Sequence, residues 1–159
     1  ESASTNVVSR MVMHRLMTMI RTGSEFGPYP IDTLDAAQNP LTSDFIEFQS
    51  FFDEATGSRQ ILRIERREQA DPARGPFELW YVQTDISNGV VTGQEERPLL
   101  TGILDARFVL EYDIGPLLRR ATVDLTVKPN DFQDASFKTD LETGTIRLVS
   151  SVGPRRLED

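Results

Sequence analysis

The stretch that decides the reading is Ser4–Thr22, STNVVSRMVMHRLMTMIRT. Val8, Met11, Val12, Leu16, Met19 and Ile20 recur at spacings of three and four, the period of one helical face. Val7, Met13 and Met17 widen that face into a broad apolar arc. Ser4 or Thr5 can cap the start with a side-chain oxygen. Gly23 suits the end, because glycine tolerates the backbone found just past a helix. Arg21 places a cation in the last turn, where the helix dipole favours it. The segment holds all four methionines and the single histidine. The pattern predicts one helix over residues 1–22.

Downstream the period changes. Residues 23–42 carry Gly27, Pro28, Pro30 and Pro40 with Asp32, Asp35 and Asn39, which predicts a long ordered loop. Phe26, Tyr29, Ile31 and Leu34 give that loop apolar residues for packing against the body. Residues 43–150 read as a β-rich body. Phe45–Phe51 and Arg59–Glu68 flank a turn containing Gly57, the sign of a hairpin. FELWYVQ, residues 77–83, has the strongest β-propensity. Residues 85–98 are polar and rich in turn formers, which predicts a loop, and 99–104 reads as a turn of helix or an irregular connector. Ala106, Phe108, Leu110 and Tyr112 alternate with polar neighbours, as do Ala121, Val123, Leu125 and Val127. An antiparallel sheet with one wet face needs that period of two. A last strand follows at 143–149 and a charged tail at 151–159.

The expected architecture is therefore a single domain over 1–159 of the α+β class: one long N-terminal helix packed on an antiparallel β-sheet. A lone amphipathic helix of this length is marginal in water, and a one-sided sheet needs a cover, so each supplies the other's partner. The helix is apolar over a wider arc than one sheet face needs to hide. The surplus is the expected docking surface.

Composition narrows the function. Net charge is −8, so phosphate backbones are repelled and nucleic acid is an unfavourable partner. There is no cysteine, which removes disulfides, thiolate zinc sites and thiol nucleophiles. No run of about 18 apolar residues occurs. The chain opens on Glu1 rather than methionine, which suggests a processed or truncated product.

Catalytic and metal chemistry find little footing. His14 has no His, Asp or Glu three or four residues away to complete a ligand set or a triad. Acidic pairs at Asp53–Glu54, at Glu95–Glu96 and among Asp131, Asp134 and Asp140 leave two openings. One is a carboxylate-pair hydrolase. The other is a calcium cage in the 130–140 loop, since calcium accepts irregular oxygen loops. Neither matches a known spacing, and the expectation is no enzyme and no cofactor. Glycines stand singly, without a phosphate-binding loop or a nucleophile elbow. Trp80 lies in the strongest strand and serves either as core or as an exposed anchor.

Three stretches together resemble the globular domain of type IV pilin-like proteins. They are RLMTMIRTGSEFG (15–27), FELWYVQTD (77–85), and RPLLTGILDARFVLEYD with RRATVDLTVKP (97–113 and 119–129). Within that group they are similar to J-type minor pseudopilins of type II secretion and to W-type minor pilins. The resemblance implies a non-catalytic subunit of an extracytoplasmic pilus or pseudopilus. Its partners would be other pilin-like subunits, met through the helix. Its location would be the periplasmic or cell-surface face of the inner membrane, held by an apolar N-terminal segment absent from these residues. On this reading Val8, Met11, Val12, Arg15, Met19 and Trp80 are the interface candidates. The competing expectation is a periplasmic small-molecule or lipid-binding module with an apolar pocket between Met17, Phe108 and Leu125.

Overall fold

The computed structural model describes residues 4–71, 75–114, 117–127 and 145–155. One helix, α1 (Ser4–Thr22), comes first. Eight strands follow among the described residues: β1 (Ser24–Gly27), β2 (Leu41–Ser43), β3 (Phe45–Asp53), β4 (Ser58–Glu68), β5 (Phe77–Ser87), β6 (Val90–Asp113), β7 (Leu117–Val127) and β8 (Ile146–Val152). Every strand pairing is antiparallel.

The expected α+β class, built on one long helix, is overturned. Strand accounts for 63% of the described residues, against one short helix. The physical reason lies in segments expected to be loops. Asn88 and Gly89, both at positive φ, make a tight turn that sends the chain straight from β5 into β6. The polar run 85–98 is thus strand, wet on its exposed side and held by pairing with β5. The supposed connector 99–104 is the middle of β6. The loop 23–42 also gives up both ends, to β1 and β2.

β6 organises the sheet. Its first half pairs with β5 and its second half, Ile103–Asp113, with β7. Beyond the start of β5, the free edge of β6 is taken by β2, with Ser43 opposite Phe108. Only Asp44 separates β2 from β3, and β3 pairs with β4. The path β3–β4–β5–β6–β2 therefore returns on itself, with β1 flanking β3 and β8 flanking β7. Closure of this kind protects strands that would otherwise be open edges.

The predicted alternation in β6 and β7 is present. Ala106, Phe108, Leu110, Ala121, Val123 and Leu125 are fully buried. From α1, Met13, Leu16 and Ile20 enter the same core. Burying each of the last two stabilises the fold by about 1.5–3 kcal/mol. The end of the helix is tied on both sides. Gly23 N–H donates to the Ile20 carbonyl at 3.1 Å, and Arg155 N–H to the Arg21 carbonyl at 2.7 Å.

The 28–40 segment is pinned to the end of β6. The Tyr112 hydroxyl donates to the Pro28 carbonyl at 2.6 Å. The Asn39 amide bonds both backbone groups of Tyr112, accepting from its N–H at 3.0 Å and donating to its carbonyl at 2.9 Å. Burial pushes the Tyr112 hydroxyl well above its ordinary value, with the neighbouring Tyr29 adding to the rise. A folded value raised above the unfolded one gives stability that is complete below the unfolded pKa near 10.0 and is lost as pH rises past it. The expected result is an alkaline loss of stability beginning above about pH 10 that Tyr112→Phe reduces, the remainder coming from Tyr81, whose hydroxyl burial also raises. The same variant should be destabilised at neutral pH by about 1–2 kcal/mol, because the Pro28 carbonyl loses its donor. Chemical denaturation at pH 7 and at pH 11 checks both; an alkaline loss as large in Tyr112→Phe as in the parent chain contradicts the assignment.

Candidate docking surface on the helix flank

At 100° per residue, α1 presents two apolar lines. Ser9, Met13, Leu16 and Ile20, at spacings of four, three and four, point into the core and are buried. Val8, Met11, Val12, Arg15 and Met19 fall on the adjoining flank. Val8 is 45% exposed and Met11 61%, and Val7 beside them is 49% exposed. Val12 and Met19 are half-buried against the core, and Arg15 is exposed. The sheet thus covers part of the arc and leaves the N-terminal part of this flank in solvent. The five helix candidates are brought together.

Where the flank meets the sheet, a cleft of about 220 Å³ opens. Val12, Arg15 and Met19 form its helix wall; Tyr81 of β5 and Arg97 and Leu99 of β6 form the other. Tyr81 and Arg97 stand opposite each other in the ladder, so their side chains share the helix-facing side. The Arg97 guanidinium stacks on the Tyr81 ring at 4.3 Å and meets Glu95 at 3.2 Å. The Tyr81 hydroxyl donates to Gln83 Oε1 at 2.8 Å. Burial pushes its pKa up, against the opposing pull of Arg97 and Arg15. Arg15 has no ion pair among the described residues.

Trp80 is not part of this surface. Its neighbours Leu79 and Tyr81 are buried on the helix side, which turns Trp80 to the outer face of β5. There it is half-buried beneath Arg67, whose guanidinium lies 4.4 Å from the ring centroid, and its Nε1–H donates to Glu78 at 2.7 Å. Glu65 joins Arg63 and Arg67 on the same face. Burial works to raise the Glu65 pKa, but hydrogen bonds from the two arginines outweigh it and hold the carboxyl below its ordinary value.

The remaining chemical candidates separate. His14 is exposed on α1. Glu95 and Glu96 are consecutive in β6 and so point to opposite faces, each on its own arginine, Arg97 and Arg67, at 3.2 Å. Asp53 accepts from the Ala55 N–H in the β3–β4 turn. No group of three or more His, Asp or Glu poised for a metal occurs among the described residues. The 130–140 calcium loop lies outside the described residues. Phe108 and Leu125, expected to line a lipid pocket with Met17, are fully buried in the core, and Met17 is partly buried against it. No helix among the described residues is long and apolar enough to cross a membrane.

The sequence reading missed a second apolar area. Phe26 is buried against Phe48, ring centroids 5.3 Å apart, as packing of the loop required. Ile31 is fully exposed and Leu34 is 77% exposed, which the packing expectation did not foresee. With Tyr29 and Ile114 they line a shallow concavity of about 350 Å³. The sheet wall of the helix cleft is hidden in the sequence for a different reason, because the polar run 85–98 that carries Arg97 has the composition of a loop. The Asn88–Gly89 pair, flanked by Ile86 and Val90, was the available signal for the hairpin that places it.

Compared with known proteins, the chain matches no family model, no curated protein and no solved structure.

Proposed function

We propose that this chain is a non-catalytic structural subunit of an extracytoplasmic pilus or pseudopilus, joined to other pilin-like subunits through the exposed flank of α1. The observation that carries the reading is the solvent exposure of Val7, Val8 and Met11 on a helix whose other apolar line is buried. Scattered apolar residues on a surface are ordinary. Here they adjoin one another and run into the half-buried Val12 and Met19, making one continuous strip. A partner helix laid along that strip shields side chains that the sheet leaves wet, which is how helices associate side by side. The support comes from the helix alone.

The test is site-specific photo-crosslinking in the source cell. A photoreactive residue at Met11 is expected to capture a pilin-like subunit, identified by mass spectrometry, that one at Glu54 in the distant β3–β4 turn does not. Capture from both positions alike, or from neither, counts against the proposal.

A further inference from the structure

We infer that the segment docking on this flank carries a carboxylate, seated between Arg15 and Arg97 at the mouth of the cleft; the inference rests on the docking reading above and specifies its partner. The protein carries a net charge of −8, so two cations facing one cleft with a single carboxylate between them are a local exception. Arg15 is exposed, and its helical neighbours Met11, Val12, Thr18 and Met19 bring no acid. Arg97 lies across the cleft with its guanidinium over the Tyr81 ring, 4.3 Å from the centroid. One of its nitrogens meets Glu95, which offsets only part of the positive field. A guanidinium has five N–H donors, so the fork retains capacity for a second acceptor. Between the two cations the walls are apolar, from Val12, Met19 and Leu99.

An apolar floor with cations at its rim fits an amphipathic helix that presents aliphatic side chains to Val8, Met11 and Val12 and one Asp or Glu level with Arg15. The apolar contact supplies adhesion. The charge pair sets the register along the groove and rejects segments with a cation there. An all-apolar helix would leave Arg15 partly desolvated and unpaired, which costs binding energy.

Three synthetic amphipathic peptides test this. They share a leucine face on an alanine background and differ at one position beside that face, which is Glu, Gln or Lys. Binding to the full chain is followed by fluorescence anisotropy at low and high salt. The Glu peptide is expected to bind about tenfold more tightly than the Lys peptide, with Gln between them. The gap should shrink at high salt and close in the Arg15→Gln/Arg97→Gln variant. Equal affinities, a reversed order, or no binding by any of the three overturns the inference. Met11→Asp separates this from the reading beneath it. If it weakens three equally bound peptides alike, the charge inference falls and docking on the flank stands. If it leaves their binding unchanged, both fall.

Discussion

Phe108→Ala lowers the free energy of unfolding by about 3–5 kcal/mol, the range for removing a buried aromatic ring. Phe108 is fully buried and sits where three strands meet, opposite Ser43 of β2 and Val123 of β7. β2 holds β6 through three residue pairs, Leu41 to Ser43 against Leu110 to Phe108. A hole beneath this short contact removes packing at the point where the sheet path closes. The surroundings are poorly placed to collapse into it, because Leu110, Val123 and Leu125 are already fully buried. Urea denaturation measures the loss. A change below about 1 kcal/mol would mean that the ring is not packed as described.

Gly23→Ala costs about 1–3 kcal/mol by overpacking. A methyl at Gly23 would sit 2.5 Å from Phe48 Cδ2 and 3.1 Å from Cε2. Phe48 is 1% exposed and its ring is held against Phe26, so it has little room to retreat. Relief comes only by lifting the end of α1 from the sheet, against the bonds that Gly23 and Arg155 make to its last carbonyls. Gly93→Ala is the control, since its added methyl meets nothing nearer than Asp85 Oδ2 at 3.5 Å. It should change stability by no more than about 0.5 kcal/mol. Equal effects at the two sites would show that helix and sheet do not approach as closely as the structure has them.

Legibility in the sequence followed how local the determining physics is. The helix could be read because period, cap and terminal glycine all lie within Ser4–Gly23. The alternation of Ala106–Tyr112 and Ala121–Val127 could be read because burial on one face imposes it directly. The first half of β6 could not be read this way. Val90–Pro98 has one neighbouring strand, and its residues are mostly exposed, so hydrophobic patterning is weak there. Its conformation comes from pairing with β5, a non-local cause, and from the Asn88–Gly89 turn. Missing that strand overstated the share of helix in the fold. β2 escaped for a related reason, being three residues held by the edge of a distant strand. For the candidate surface, the helix side was visible as surplus apolar arc. The sheet side needed the register that sets Arg97 opposite Tyr81, which a single stretch of sequence does not encode.

The central claim is that the exposed flank of α1 is covered by another subunit when the protein is at work. The methionines supply built-in reporters, because Met11 is 61% exposed and Met13, two residues on, is 5% exposed. Peroxide oxidation followed by mass spectrometry reads each thioether separately, and accessibility governs the rate. In the isolated chain Met11 should oxidise fastest and Met13 slowest. In the assembled state within the source cell, the account predicts that Met11 slows to the rate of Met13. Met11 oxidising equally fast in both states would contradict it.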